Sequence, residues 1–352
     1  MEKHKVLIVD DSAVVRKVLF ELLSSDPEIE VVDTAVDPYD ARDKIKQHRP
    51  DVLTLDIEMP KMDGITFLRN LMKLNPMPVV MLSTLTHKGA DATLQALELG
   101  AVDFMPKPTM SQSDSALKMF QDELRQKVKM ASASAKKIKF IRPVGEHVAK
   151  PILTAPAAVN GSGIEVIAIG ASTGGTEALR DVLEVLPANL PPIIVTQHIP
   201  ASFSERFANR LNTQCALSVK QAEEGDILKP GHVYIAPGSY HLRVKKQANL
   251  LTAVLDDREP VNRHKPSVEV MFDSLTDAGV AKAVSIMLTG MGDDGAVAMK
   301  RLNDHGYHTI AQDEQTSLVW GMPGMAVKHG GVQEVLALNK ISERLVQLLS
   351  GK

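Results

Sequence analysis

Three carboxylates, a hydroxyl and an ammonium group stand at the ends of short apolar runs in the first third of the sequence. Asp10 and Asp11 follow the first run, and Asp56 ends the third. Ser83 ends the fourth run, and Lys107 follows the fifth. If the runs are parallel strands, their carboxyl ends meet at one edge of a sheet. Crowded carboxylates are tolerated where a hard cation such as Mg²⁺ neutralises them. The pattern predicts a phosphoryl-transfer site.

In this interpretation Asp10, Asp11 and Asp56 hold Mg²⁺, and Asp56 attacks the phosphorus of a donor. Lys107 and the Ser83 hydroxyl stabilise charge on the phosphoryl oxygens. An alternative stays open, because aspartate is common in turns and caps that follow strands. One such residue alone would carry little information. All five at successive strand ends favour the chemical interpretation.

A second set of reactive side chains lies in the last 190 or so residues, again where apolar runs end. Ser172 occupies the turn of a G-x-S-x-G pattern, residues 170–174, between an apolar run and a helix-like stretch. His198 follows the run 192–197, and Asp294 follows the run 283–290 through a glycine-rich segment. Serine, histidine and aspartate brought together at one sheet edge can transfer acyl groups, with histidine as base and aspartate as its orienter.

Each member of this set also has a non-catalytic interpretation. Ser172 could cap a helix, or belong to a phosphate-binding loop, which shares the strand–loop–helix geometry. Residues 170–176 form neither G-x-G-x-x-G nor a loop with the lysine of a P-loop. A single histidine is more often structural, and His241 and His264 are further candidates among eleven histidines. A second domain that binds a nucleotide or a partner without catalysis therefore stays open.

The first set of residues resembles the receiver domain of two-component response regulators. The resemblance rests on Asp10-Asp11, Asp56, Ser83 and the pair Lys107-Pro108. It implies that Asp56 is the phosphorylated residue. It also places Phe104 at the aromatic switch position that reports phosphorylation in that family.

The second set resembles the chemotaxis protein-glutamate methylesterase family. The matching segments are GASTGG at 170–175, QHIP at 197–200 and LTGMGDDG at 288–295. Ser172 is thereby implied as nucleophile, His198 as base and Asp294 as orienter. The backbone N–H groups of Thr173 and Met291 are implied as oxyanion donors. The sequence alone does not exclude Asp293 in place of its neighbour.

The resemblance spans the whole chain and implies a phosphorylation-activated carboxylic ester hydrolase. Its substrates would be glutamate γ-methyl esters, and glutamines to be deamidated, on methyl-accepting chemoreceptors. A chemotaxis histidine kinase would be the phosphodonor. Mg²⁺ would serve the receiver domain, and the catalytic domain would need no cofactor. The protein would act in the cytoplasm, recruited to receptor arrays.

The elements that must position these residues alternate between short apolar runs and amphipathic stretches, which predicts an α/β fold. We expect a flavodoxin-like receiver domain with a five-stranded parallel sheet at 1–125, a linker at 126–162, and a doubly wound α/β hydrolase-type catalytic domain at 163–350. The predicted strands are Lys5–Asp10, Glu30–Ala35, Val52–Ile57, Val79–Ser83 and Val102–Pro106, then Glu165–Ile169, Ile193–Gln197, Val233–Ala236, Leu250–Leu255, Val284–Leu288 and His308–Ala311.

Composition narrows the function classes. The 352 residues carry a formal net charge of −3, and no basic helix stands out, so we expect no nucleic-acid partner. No apolar run is long enough to span a bilayer, so we expect no direct membrane insertion. A single cysteine, Cys215, cannot form a disulfide within the chain.

Overall fold

The computed structural model describes residues 3–84, 87–108, 114–135, 151–153, 162–248 and 250–350, with the backbone only at 87, 88, 114 and 115. The chain divides into two compact units, Met1–His147 and Val148–Lys352. Much of the predicted linker lies outside the described residues.

The first unit alternates strands and helices from its beginning. Its elements are β1 His4–Val9, α1 Ala13–Ser24, β2 Ile29–Ala35, α2 Pro38–His48, β3 Val52–Asp56, α3 Gly64–Leu74, β4 Val79–Ser83, α4 His87–Glu98, β5 Asp103–Pro106 and α5 Asp114–Ala133. All neighbouring strands pair in parallel, in the order β2-β1-β3-β4-β5. This is the flavodoxin-like order, and it confirms the predicted five-stranded sheet.

Burial explains why the strands could be predicted from the sequence. Every residue of β3 and β4 is buried, as expected for a parallel sheet covered by helices on both faces. Helix α5 continues past residue 125, after which the sequence predicts the linker. It continues because Leu124, Val128 and Ala131 are fully buried, so the apolar face of the helix extends over two more turns.

The second unit is built on a larger parallel sheet. Its elements are β6 Val166–Ala171, α6 Gly175–Leu183, β7 Ile193–Gln197, α7 Ala201–Gln214, β8 Ser218–Gln221, β9 His232–Ile235, β10 His241–Gln247, β11 Leu250–Asp256, α8 Val268–Asp277, β12 Ala283–Met287, α9 Ala296–Asp304, β13 His308–Gln312, α10 Met322–Lys328, β14 Glu334–Leu336 and α11 Leu338–Leu349. Seven strands pair in the order β14-β13-β12-β6-β7-β9-β8, all in parallel.

Strand β6 lies at the point where the strand order reverses. Strands β7, β9 and β8 lie on one side of β6, and the later strands β12, β13 and β14 lie on the other. Open α/β sheets bind ligands in the crevice at such a point, outside the carboxyl ends of the strands. The loops after β6, β7 and β12 therefore define the place to search for a site.

One predicted strand lies elsewhere. The run at 250–255 was expected among the strands of this domain, and β11 does form there, but it pairs with β10 in an antiparallel ribbon separate from the seven-stranded sheet. The ribbon packs against α8 instead of joining the parallel sheet.

Within the described residues, no helix combines the length and the apolar character that a membrane span requires.

Candidate functional sites

Ser172 lies in the tight turn between β6 and α6. Its N–H donates to the Thr289 carbonyl at 3.0 Å, and its own carbonyl accepts from Gly175 N–H at 2.7 Å. Gly290, in the loop after β12, passes so close that a Cβ there would lie 2.8 Å from the Ser172 Cβ. The loops after β6 and β12 are therefore in direct contact, and the serine is held between them.

Gln197, the last residue of β7, connects this turn to the neighbouring strand. Its side chain is buried, and its amide nitrogen lies 2.9 Å from the Ser172 carbonyl and 3.2 Å from the His198 carbonyl. One side chain thus holds the backbone of both residues. In the sequence, Gln197 is visible only as part of the QHIP motif, which implies no role for it.

His198 and Asp294 form a buried hydrogen-bonded pair. His198 Nε2 lies 2.9 Å from Asp294 Oδ2, and the side chains are 8% and 1% exposed. The other ring nitrogen, Nδ1, is buried and has no hydrogen-bond partner among the described residues. An imidazole that donates through Nε2 keeps a lone pair on Nδ1, so this atom can accept a proton.

The Ser172 hydroxyl makes no hydrogen bond to this nitrogen in the part of the chain that the structure describes. Such bonds are often long or absent without substrate and tighten when substrate binds. Ser172, His198 and Asp294 nevertheless follow β6, β7 and β12, three adjacent strands of one sheet.

Asp294 is held by donors from several directions besides His198. Oδ1 accepts from Asn262 Nδ2 at 2.9 Å and from Ser267 Oγ at 2.7 Å. Oδ2 accepts from Val268 N–H, in the first turn of α8, at 2.6 Å. Burial alone would raise the pKa of Asp294, but the hydrogen bonds, above all the one with His198, lower it to about 2. The group is therefore an anion at neutral pH.

The structure distinguishes the two adjacent aspartates, either of which could orient the histidine on the evidence of the sequence alone. Asp293 is exposed, whereas Asp294 is buried against the imidazole. Geometry thus brings Asp294, and not Asp293, to His198.

Residues from the start of β10 and from the segment between β11 and α8 complete the surroundings of the pair, and the sequence assigned none of them a role. His264 stacks on His198 with ring centroids 3.7 Å apart and an interplanar angle of 12°. His241 accepts from Ser267 N–H at 3.1 Å and lies 3.2 Å from the Glu259 carbonyl, which anchors the start of α8. The sequence named His264 and His241 only as competing candidates. No motif marked Asn262 or Ser267.

The two predicted oxyanion donors lie on the two loops that touch. Thr289 Oγ1 donates to the Thr173 carbonyl at 3.0 Å, which ties the turn after β6 to the loop containing Met291. Thr173 is buried and Met291 is half-buried. Their role as donors stays a prediction.

The predicted phosphorylation site assembles in the first unit. Lys107 Nζ lies 3.0 Å from Asp10 Oδ2 and 2.7 Å from Asp56 Oδ2. Asp10, Asp11 and Asp56 each offer a carboxylate oxygen, and these oxygens lie within 4.8 Å of one another. Asp10 and Asp56 are buried, whereas Asp11 is exposed. Three hard oxygen donors around one point fit the ligand preference of Mg²⁺.

The pKa values of Asp56 and Lys107 reflect the close approach of these charged groups. Burial, together with the neighbouring Asp10, raises the pKa of Asp56 to about 6, although Lys107 opposes the shift. The pKa of Lys107 is raised despite its burial, because both carboxylates stabilise the ammonium form. A cation would relieve the repulsion between the two aspartates.

Ser83 and Phe104 flank this site. Ser83 ends β4, beside the strand that carries Asp56, and its Oγ lies 3.2 Å from the Gly89 carbonyl. Phe104 is buried on β5, where Lys127 Nζ lies 5.6 Å from its ring centroid and 2.8 Å from its carbonyl oxygen.

Comparison with known proteins agrees with this architecture. Residues 6–118 match the response regulator receiver domain, and residues 167–345 match the CheB methylesterase domain. A protein-glutamate methylesterase/protein-glutamine glutaminase of Hydrogenovibrio crunogenus is 51% identical over 375 residues, covering 99% of this chain and 100% of its own. A relative of the same description from Xanthomonas campestris pv. campestris is 52% identical over 350 residues, covering 98% of this chain and 97% of its own.

Among solved structures, the CheB methylesterase catalytic domain of Thermotoga maritima superposes with a TM-score of 0.51 at 38% sequence identity. The match covers 53% of this chain and 98% of that one. The chain therefore belongs to the CheB methylesterase family, with a response regulator receiver domain preceding its methylesterase domain.

Proposed function

We propose that this protein hydrolyses glutamate γ-methyl esters, and deamidates glutamines, on methyl-accepting chemoreceptors at cytoplasmic receptor arrays, and so resets receptor signalling. The observation that carries the proposal is the buried His198–Asp294 pair beside the Ser172 turn. The names of relatives about 50% identical over the full chain supply the substrate class.

In the acylation step His198 Nδ1 takes the proton of the Ser172 hydroxyl while Oγ attacks the side-chain carbonyl carbon. The tetrahedral oxyanion accepts hydrogen bonds from Thr173 N–H and Met291 N–H. The imidazolium, stabilised by the Asp294 carboxylate, gives its proton to the leaving oxygen. Methanol departs and a γ-glutamyl ester of Ser172 remains.

Deacylation repeats these roles with water. His198 accepts a proton from the water that attacks the acyl carbon, and returns it to Ser172 Oγ as the ester bond breaks. The product is a glutamate side chain. A glutamine substrate follows the same path, with ammonia leaving in place of methanol.

In the receiver domain Asp56 Oδ attacks the phosphorus of a phosphohistidine on a chemotaxis kinase, and the histidine nitrogen leaves. Asp10, Asp11 and Asp56 would hold Mg²⁺, which when bound neutralises charge on the phosphoryl oxygens. Lys107, already paired with Asp56, moves to contact the new phosphoryl group. Ser83 and Phe104 respond to that group, and the phosphorylated protein is the active methylesterase.

The test is to measure methanol released from methylated receptor membranes and ammonia released from membranes that carry unmodified glutamines. Both assays are run with and without Mg²⁺ and acetyl phosphate. We expect both products, with rates that rise on addition of phosphodonor. Phosphorylation of the protein without release of either product would refute the proposal.

A further inference from the structure

A two-residue turn lies directly beside the His198–Asp294 pair. Val261 N–H donates to the His264 carbonyl at 3.1 Å, and His264 N–H donates to the Val261 carbonyl at 2.9 Å. The two residues between them, Asn262 and Arg263, have φ angles of +51° and +68°. Positive φ at both central positions is the pattern of a type I′ turn, which favours asparagine followed by glycine.

Both neighbours of Arg263 are anchored in the site. Asn262 Nδ2 donates to Asp294 Oδ1 at 2.9 Å, and the His264 ring stacks on His198 at 3.7 Å. The turn therefore cannot move without disturbing the pair. Arg263 is exposed at the tip of this turn, between the two residues that contact the pair.

Arg263 differs from the other basic residues of the same segment. Arg258 pairs with Asp256, with Nε 2.8 Å from Oδ2, and Lys265 Nζ lies 2.6 Å from Asp257 Oδ1. Arg263 has no ion pair with any carboxylate in the described ranges of the chain. Its positive charge is thus available to a molecule that approaches the site.

The backbone gives a second reason to assign this side chain a role. Glycine would adopt the second central position of the turn without strain, whereas a residue with a Cβ is strained there. Strain of this kind is typical of functional sites, where the side chain serves something other than folding. Arginine presents a planar pair of donors that matches a carboxylate.

We propose that Arg263 binds a carboxylate of the substrate protein, next to the glutamyl side chain being hydrolysed. This inference rests on the proposed function. Both reactions in the relatives' names leave a glutamate carboxylate as product, so a substrate with several modified positions carries carboxylates close to the remaining esters. Arg263 would then select protein substrates without taking part in bond cleavage.

The experiment compares wild type with Arg263→Gln, Arg263→Lys and Arg263→Gly. Lys245→Gln is the matched control, because Lys245 is an exposed cation on β10 of the same unit. Kinetics are measured on methylated receptor membranes and on p-nitrophenyl acetate, which has no carboxylate. Thermal unfolding is recorded for each protein.

We expect Arg263→Gln and Arg263→Gly to raise KM for receptor about tenfold or more, because a charge-assisted hydrogen bond is lost. The lysine variant should fall between them and wild type, and 0.5 M NaCl should largely remove the difference. Turnover of p-nitrophenyl acetate should stay within about twofold in all variants. Arg263→Gly should also raise Tm by about 2–4 °C, because the strain at φ +68° is relieved.

An unchanged KM for receptor in the Arg263 variants would overturn the inference, as would an equal loss on p-nitrophenyl acetate or in Lys245→Gln. A lower Tm for Arg263→Gly would show that the arginine stabilises the fold, and this result would also overturn the inference. If wild type itself releases no methanol, the proposed function fails, and this outcome is distinct from a failure of the Arg263 assignment.

Discussion

Replacing Asp294 by asparagine removes the anion from the centre of the site while conserving its shape. In the wild type, donors from His198, Asn262, Ser267 and the start of α8 converge on the two carboxylate oxygens. An asparagine offers one acceptor oxygen and places an NH₂ group against the remaining donors. The imidazole therefore loses its acceptor or is driven into the wrong tautomer.

We expect this substitution to lower both activity and stability. Activity should fall roughly ten-thousand-fold, as in other serine hydrolases that lose the orienting carboxylate. Lowering the pKa of Asp294 from 3.8 to about 2 corresponds to about 2 kcal/mol of folding stability at neutral pH. Because the folded state holds the lower pKa, this contribution is present above pH 4 or so and is lost as the pH falls towards 2.

The assay pairs methanol release at pH 7 with urea unfolding between pH 7 and pH 2.5. Asp293→Asn, at the exposed neighbouring position, is the matched control and should retain wild-type activity and stability. We expect the difference in unfolding free energy between wild type and Asp294→Asn to shrink as the pH falls below 4. Activity of Asp294→Asn within about tenfold of wild type, or an equal loss in Asp293→Asn, would refute the reasoning.

Three further variants test other contacts of the two sites. Gln197→Met removes the amide that reaches the carbonyls of Ser172 and His198, so kcat should fall about tenfold with little change in KM; unchanged kcat would contradict this role. Gly290→Ala places a Cβ 2.8 Å from that of Ser172, so the esterase rate should fall at least about a hundredfold. Full activity of this variant would show that the two loops can separate. Asp56→Asn should abolish stimulation by acetyl phosphate, as should EDTA with wild type, and retained stimulation would point to another phosphorylated residue.

The sequence was sufficient where chemistry follows a buried parallel strand. Runs such as Val52–Asp56 and Ile193–Gln197 are wholly buried, so their sequences are mostly apolar, and the reactive residue comes at or just after the end. This regularity predicts that Asp56 and His198 lie at strand ends, where the structure has them. The order of the strands in the sheet could not be predicted from the sequence. That order makes β12, β6 and β7 neighbours and so brings their loops together.

The sequence was insufficient where residues reach the site from elsewhere. Asn262 and His264 come from a turn after the antiparallel ribbon, where no strand of the parallel sheet ends. Ser267 is the N-cap of α8, and its hydroxyl also donates a hydrogen bond to Asp294. The choice between Asp293 and Asp294 depends on which side chain turns inward, and adjacent residues in a glycine-rich loop carry no periodicity that reveals it.

Ser172→Ala tests whether the Ser172 hydroxyl forms the acyl intermediate. Methanol release from methylated receptor membranes is measured for wild type, Ser172→Ala and the control Ser218→Ala, an exposed serine at the start of β8. All three proteins are first shown by circular dichroism to be folded. We expect Ser172→Ala to lose on the order of a million-fold in rate and Ser218→Ala to be unaffected. A Ser172→Ala rate within about tenfold of wild type would contradict this expectation.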